Sequence, residues 1–117
     1  MTVRECYAAM GGDYEEALSL LGSEERIRRY LLRFAVDPTA ALLFRALAQG
    51  EGQTAFGAAH TLKGVCHCLG MTRLYDSSYA LTEVLRAGLP HDGALLNRVH
   101  QDYETVIRAV HGLGGGR

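Results

Sequence analysis

The sequence predicts an all-α domain, an up-and-down bundle of helices joined by short loops, and three observations carry that expectation. Apolar residues recur at helical spacing in one segment after another, so each segment can bury a stripe and wet the rest. Residues that start and stop helices punctuate those segments at short intervals, which favours antiparallel neighbours. No stretch shows sustained apolar/polar alternation between turns, so no strand is expected. At 117 residues the chain can build a single core but not two. One helical domain is therefore expected over residues 1–111, followed by a Gly-rich tail over 112–117 that should fray.

Taken in order, Thr2 can cap a short helix running to about Met10, which Gly11-Gly12 stops. Asp13 caps Tyr14 to Leu21, with Glu15 and Glu16 in the first turn, where the helix dipole favours acids. Gly22 closes that helix and Ser23 starts another, whose Ile27, Tyr30, Leu31 and Phe34 form a stripe opposite Arg28, Arg29 and Arg33. These are short helices ahead of the main bundle. At Asp37-Pro38 the aspartate can cap while the proline needs no N–H donor in the first turn. The helix that follows, about Thr39 to Gln49, buries Leu42, Leu43, Ala46 and Leu47. Gly50 and Gly52 end it. A central helix spans about Gln53 to Leu69 and stops at Gly70. Thr72 caps a helix to about Ala87 with Leu74, Ser77, Ser78, Leu81, Val84 and Leu85 inward, and Gly88 and Pro90 break it. Asp92 caps the last helix, about Gly93 to His111, with Leu95, Leu96, Val99, Tyr103, Val106 and Val110 as its apolar set.

Composition removes several functions. Twelve Lys plus Arg against 13 Asp plus Glu give a formal net charge of -1, so no basic field exists to hold nucleic acid by its phosphates. No apolar run approaches the ~18 residues of a membrane span, and the basic-then-apolar order of a signal peptide is absent at the start. A soluble cytoplasmic protein is expected. Three cysteines, with Cys66 and Cys68 pointing in different directions on one helix, make no disulfide framework and are read as reduced.

The candidate chemistry lies in the central helix. At about 100° per residue, His60, Lys63, Gly64 and His67 share one face, with Ala55, Ala58, Ala59, Leu62, Val65, Cys66 and Leu69 opposite. The apolar stripe goes to the core and His60 points away from it. Phe56, four residues before His60, lies on the same outward face. It either folds over the helix end into a groove or stays out as an apolar contact for a partner. His67 either rims that surface or is simply wet. Lys63 is either a functional cation or an ordinary solvated lysine. A metal reading of Cys66-His67-Cys68 is rejected: zinc needs about four converging ligands. His60 and His67 stand about 10 Å apart along the axis at ~1.5 Å per residue. His91, His100, His111, Tyr75 and Tyr79 form no constellation, and the two tyrosines are expected to pack partly or to line the groove beside the central helix. No phosphate-binding Gly-rich loop and no acidic cluster that reads as a magnesium site is present.

Ala59-His60-Thr61-Leu62-Lys63-Gly64, followed by Leu69-Gly70 and Leu74, resembles the signature of histidine-containing phosphotransfer (HPt) domains of multistep two-component signalling. The likeness is dense over about Phe56 to Glu83 and looser elsewhere. It implies a four-helix bundle with the histidine exposed midway along one helix. It further implies phosphoryl transfer from the aspartyl phosphate of a response-regulator receiver domain, including one carried by a hybrid histidine kinase, to His60 and on to another receiver. On that resemblance His60 is the phosphoacceptor, Lys63 offsets phosphate charge, and Gly64 keeps the neighbouring surface low; Phe56, Gly64 and His67 are the candidate partner contacts on that face. No cofactor is expected on this chain, since the receiver brings the magnesium and the aspartate, and a monomer is expected. Elementary chemistry agrees. A histidine nucleophile must be accessible with an unprotonated nitrogen, and phosphoryl transfer needs positioning and charge stabilisation more than covalent machinery. Glycine inside a helix costs about 1 kcal/mol relative to alanine, which suggests a surface that must come close at Gly64. Two departures stand out: Val65 and Cys68 occupy places where many members carry polar residues. A helical interaction module that binds its partner without transfer is the alternative. A metal- or cofactor-binding bundle is a weaker third reading, because the inner faces are apolar.

Overall fold

The structure, a computed structural model, describes residues 1–89 and 93–115. They form α1 (Val3–Met10), α2 (Tyr14–Leu21), α3 (Glu24–Phe34), α4 (Thr39–Ala48), α5 (Gly52–Cys68), α6 (Thr72–Arg86) and α7 (Gly93–Gly115), with no strand among the described residues. Sequential neighbours α4, α5, α6 and α7 pack against one another as the up-and-down bundle. The three short helices expected ahead of them add to it, α1 packing on α7, α2 on α5 and α3 on α7. No helix among the described residues is long and apolar enough to cross a membrane.

The helix starts follow the side chains that can satisfy orphan amides. The Thr2 hydroxyl accepts from the Glu5 N–H at 3.0 Å while the Glu5 carboxylate accepts from the Thr2 N–H at 2.8 Å, a reciprocal capping box. Asp13 and Ser23 cap α2 and α3 by accepting from Glu16 N–H at 3.0 Å and Arg26 N–H at 3.2 Å. The Asp37 carboxylate accepts from Thr39 N–H at 2.8 Å across Pro38.

Thr72 does not cap α6. It is the first residue of that helix, and Met71 before it makes no side-chain cap. A tertiary contact does the work instead: Arg73 N–H donates to the Gly11 carbonyl at 3.1 Å. The expected cap Asp92 and breaker Pro90 lie outside the described residues, as does His91.

That contact belongs to a close approach between the α1–α2 and α5–α6 turns. Gly70 ends α5 with φ +65°, and Asp13 N–H donates to its carbonyl at 2.8 Å. A Cβ on Gly70 would sit 2.7 Å from the Asp13 carbonyl oxygen, so the turn requires glycine both by its left-handed backbone and by space. Beside it the buried Tyr7 hydroxyl donates to the Leu69 carbonyl at 2.6 Å. The N-terminal helices therefore clamp the C-terminal end of α5 through hydrogen bonds that the bundle alone does not contain.

The core is continuous through all of this. Val3, Cys6, Tyr7 and Met10 of α1 are buried with Leu43 and Ala46 of α4, Ala55, Ala59, Leu62 and Cys66 of α5, Leu74 and Leu81 of α6 and Val99, Val106 and Val110 of α7. Phe44 packs against His100 and Tyr103 with ring centroids 4.8 and 6.0 Å apart, and Phe34 lies 6.1 Å from Tyr103, joining α3, α4 and α7. The last helix does not stop at His111. It continues to Gly115, into the segment expected as a tail, because Leu113 falls one turn beyond Ala109 and Val110 and is buried with them. Residues 116 and 117 of that segment lie outside the described residues.

Candidate functional site

His60 lies midway along α5 with its side chain exposed, while Ala58, Ala59 and Leu62 on the far side are buried. Inward alanines bring the α5 backbone close to its neighbours and leave His60 on a ridge between two flanks of different construction.

The flank toward α6 is made of rings and cations. The Phe56 ring lies nearly parallel to the His60 imidazole, centroids 6.0 Å apart and planes 16° from coplanar. The Arg86 guanidinium of α6 sits 5.1 Å from the centre of the Phe56 ring. One turn along, Lys63 Nζ is 5.4 Å from the centre of the Tyr79 ring, which stacks on Tyr75 at 6.0 Å. Half-buried Phe56 thus both faces His60 and lines a groove with Leu85, Arg86 and Leu89.

The flank toward α3 is open. A groove of about 680 Å³ runs between His60, Thr61, Gly64, Val65 and Cys68 of α5 and Leu21, Tyr30, Arg33 and Phe34 of α2 and α3, with Asp37 at its edge. A Cβ placed on Gly64 would meet nothing within 4 Å, so packing inside this chain does not demand glycine there.

The structure brings His60, Lys63, Gly64 and Phe56 together, and exposed His67 lies two turns on, at the far end of the same run of rings. Its ring is 5.7 Å from that of Tyr75, in a hollow that it shares with Glu16, Thr72 and Asp76 near the α5–α6 turn. Burial pushes the Cys66 thiol far above its ordinary value and the Cys6 thiol up to about 11. Cys68 is exposed. Among the described residues no three His, Cys, Asp or Glu side chains gather as a metal site.

Tyr79, Arg86, Tyr30, Arg33 and Gly57 also border this ridge. The sequence placed Tyr79 in packing or in the groove beside this helix, Tyr30 in the apolar stripe of α3 and Arg33 on its wet side, and gave Arg86 and Gly57 no place. In the structure Tyr30 is exposed. Gly57 carried a legible signal, a glycine in a helix interior one turn before His60. The others did not, because their relevance depends on which faces of α3 and α6 meet α5.

The fold and this geometry define a class: a helical bundle that presents an exposed histidine midway along the outer face of its central helix. The family model described as Hpt domain matches residues 36–109, which include all of α4, α5 and α6 and most of α7, and the chain belongs to that family. No curated protein and no solved structure matches it. Its general role is accordingly histidine phosphotransfer within a phosphorelay.

Proposed function

We propose that this chain is a phosphoryl carrier in which His60 takes a phosphoryl group from the aspartyl phosphate of one receiver domain and hands it to the aspartate of another. The observation that carries the reading is the exposure of His60 on α5, inside the family-matched segment, beside a glycine whose missing side chain nothing in the chain would occupy.

In the transfer, the unprotonated ring nitrogen of His60 attacks phosphorus in line with the acyl oxygen. The N–P bond forms as the P–O bond to the aspartate breaks, the aspartate leaves as a carboxylate, and the second ring nitrogen keeps its proton. The onward step is the reverse reaction with a second receiver. Phe56, packed against the imidazole, limits its rotation and holds the nitrogen outward. Lys63, one turn from His60, supplies positive charge to the phosphoryl oxygens as they approach. The divalent ion and the acidic pocket belong to the receiver, including one carried by a hybrid histidine kinase. The group arrives already activated, so the chain works as a carrier and not as an enzyme with its own nucleotide site. This reading places it in the cytoplasm as a monomer.

Val65 and Cys68, apolar or weakly polar on the groove side, favour a second reading, a module that binds a receiver without accepting phosphate. Incubation with phosphorylated receiver domains separates the two. Transfer gives acid-labile, base-stable phosphate on the wild type and none on His60→Ala. Equal labelling of His60→Ala would sink the acceptor assignment, and binding without labelling would establish the second reading.

A further inference from the structure

The flank of His60 toward α3 is walled by an element outside the family match, since α3 ends at Phe34 and the matched segment begins at residue 36. Arg26, Arg29 and Arg33 recur along α3 at helical spacing and are exposed. Arg33 and Tyr30 line the groove that His60 also lines, with the guanidinium 5.4 Å from the centre of the Tyr30 ring. Asp37, the acid at the groove's edge, already accepts a hydrogen bond from the start of α4 at 2.8 Å. That bond leaves the Asp37 carboxylate its charge, so the basic character of this wall comes from α3 as a whole, where exposed Arg26, Arg28, Arg29 and Arg33 outnumber Glu24 and Glu25.

On α5, Gly64 lines the opposite wall and Gly57 lies one turn before His60; they stand about 40° and 60° round the helix from His60, on the same side. A Cβ at either would meet nothing within 4 Å. Two glycines in one helix interior, neither needed by the chain's own packing, leave the backbone low along the same edge. A basic, aromatic wall facing a lowered backbone complements a partner whose phosphorylation pocket is rimmed by carboxylates.

We propose that the receiver docks on the α3 side of His60, with its acidic rim against Arg33 and its surface close over Gly57 and Gly64, so that α3 supplies partner specificity. The proposal rests on the phosphorelay reading above.

The test compares two routes of labelling His60: phosphoramidate, which phosphorylates histidine without a protein partner, and receiver domains from the same genome charged with acetyl phosphate. The ratio of receiver-driven to phosphoramidate-driven rates is the readout. Arg33→Glu lowers that ratio about tenfold, less so at high salt, whereas Arg33→Lys stays within about threefold of wild type. Gly57→Leu lowers it by a similar factor with a Tm no lower than wild type. Arg108→Glu, a reversal at an exposed site on α7, leaves it unchanged. If Arg33→Glu and Gly57→Leu keep the wild-type ratio while substitution of exposed Leu89 on the other flank lowers it, the receiver sits toward α6 and the proposal is overturned. Failure of every receiver to charge the wild type, with phosphoramidate labelling intact, removes the relay reading and this docking together. Charging of the wild type with both ratios unchanged removes the docking alone.

Discussion

The two flanks of α5 differ in how they treat the space beside His60. Toward α6, side chains from two helices fill it: Arg86 on Phe56, Phe56 along His60, Lys63 over Tyr79, and Tyr79 on Tyr75. Toward α3, the chain leaves it empty, with glycine on the ridge and an open groove below. On the proposed function, His60 and Lys63 have to be held in place while a second protein is admitted. Rings on one side would serve the first need, since a stacked ring gives a flexible lysine or imidazole a preferred place. Missing side chains on the other would serve the second.

The largest effect that would sharpen this contrast is expected at Lys63. Removing one charge-assisted contact to a phosphoryl group costs about 1.5–3 kcal/mol, so Lys63→Ala should slow receiver-driven labelling about 10- to 100-fold. Circular dichroism should show the fold unchanged. A wild-type rate would mean that the α6 flank holds no functional cation.

Next comes Cys68, in the open groove. Because burial disfavours the thiolates of Cys6 and Cys66, alkylation near neutral pH should reach Cys68 alone, with the other two reacting only on unfolding. A bulky maleimide there should slow receiver-driven labelling about tenfold, the cost of blocking close approach at an interface centre. Unimpaired transfer by the alkylated protein would show that the partner avoids this flank.

Gly64→Ala should separate folding from function. It should raise stability by about 0.5–1 kcal/mol in a urea titration, because alanine suits a helix interior and meets no neighbour. Receiver-driven transfer should nonetheless fall several-fold. A stabilised variant with full activity would leave the glycine without a docking role.

The smallest expected effect is at Tyr79. A cation–π contact at an exposed site is worth about 0.5–1 kcal/mol, so Tyr79→Leu should slow transfer about two- to fivefold through Lys63. In the Lys63→Ala background the same change should do nothing further, a double-mutant cycle that tests whether the two act together.

Much of this molecule is legible in the chain alone. Thr2, Asp13 and Ser23 cap helices as their side chains allow, and Gly22 and Gly70 end them, because these choices depend on neighbours within a few residues. At α4 the cap position falls to Pro38, one residue after the expected Asp37, whose carboxylate still accepts from Thr39 N–H. The apolar stripe of α5 sent His60 outward for the same local reason. Thr72 failed as a cap because a carbonyl from Gly11, distant in sequence, satisfies the amide of Arg73 instead. The Gly-rich tail stayed helical to Gly115 because burial of Leu113 outweighs poor propensity. His67, on the same face as His60 by helical spacing, was drawn to Tyr75 of α6.

Periodicity and capping, which are properties of neighbouring residues, determined by themselves that the chain would be helical and that His60, Lys63 and Gly64 would share a surface. Only the tertiary structure decided what stands on either side of that surface. Which rings hold Lys63 and which arginine faces the groove depend on how α6 packs on α5 and how α3 packs on α7, and that depends on core packing among residues far apart in the chain.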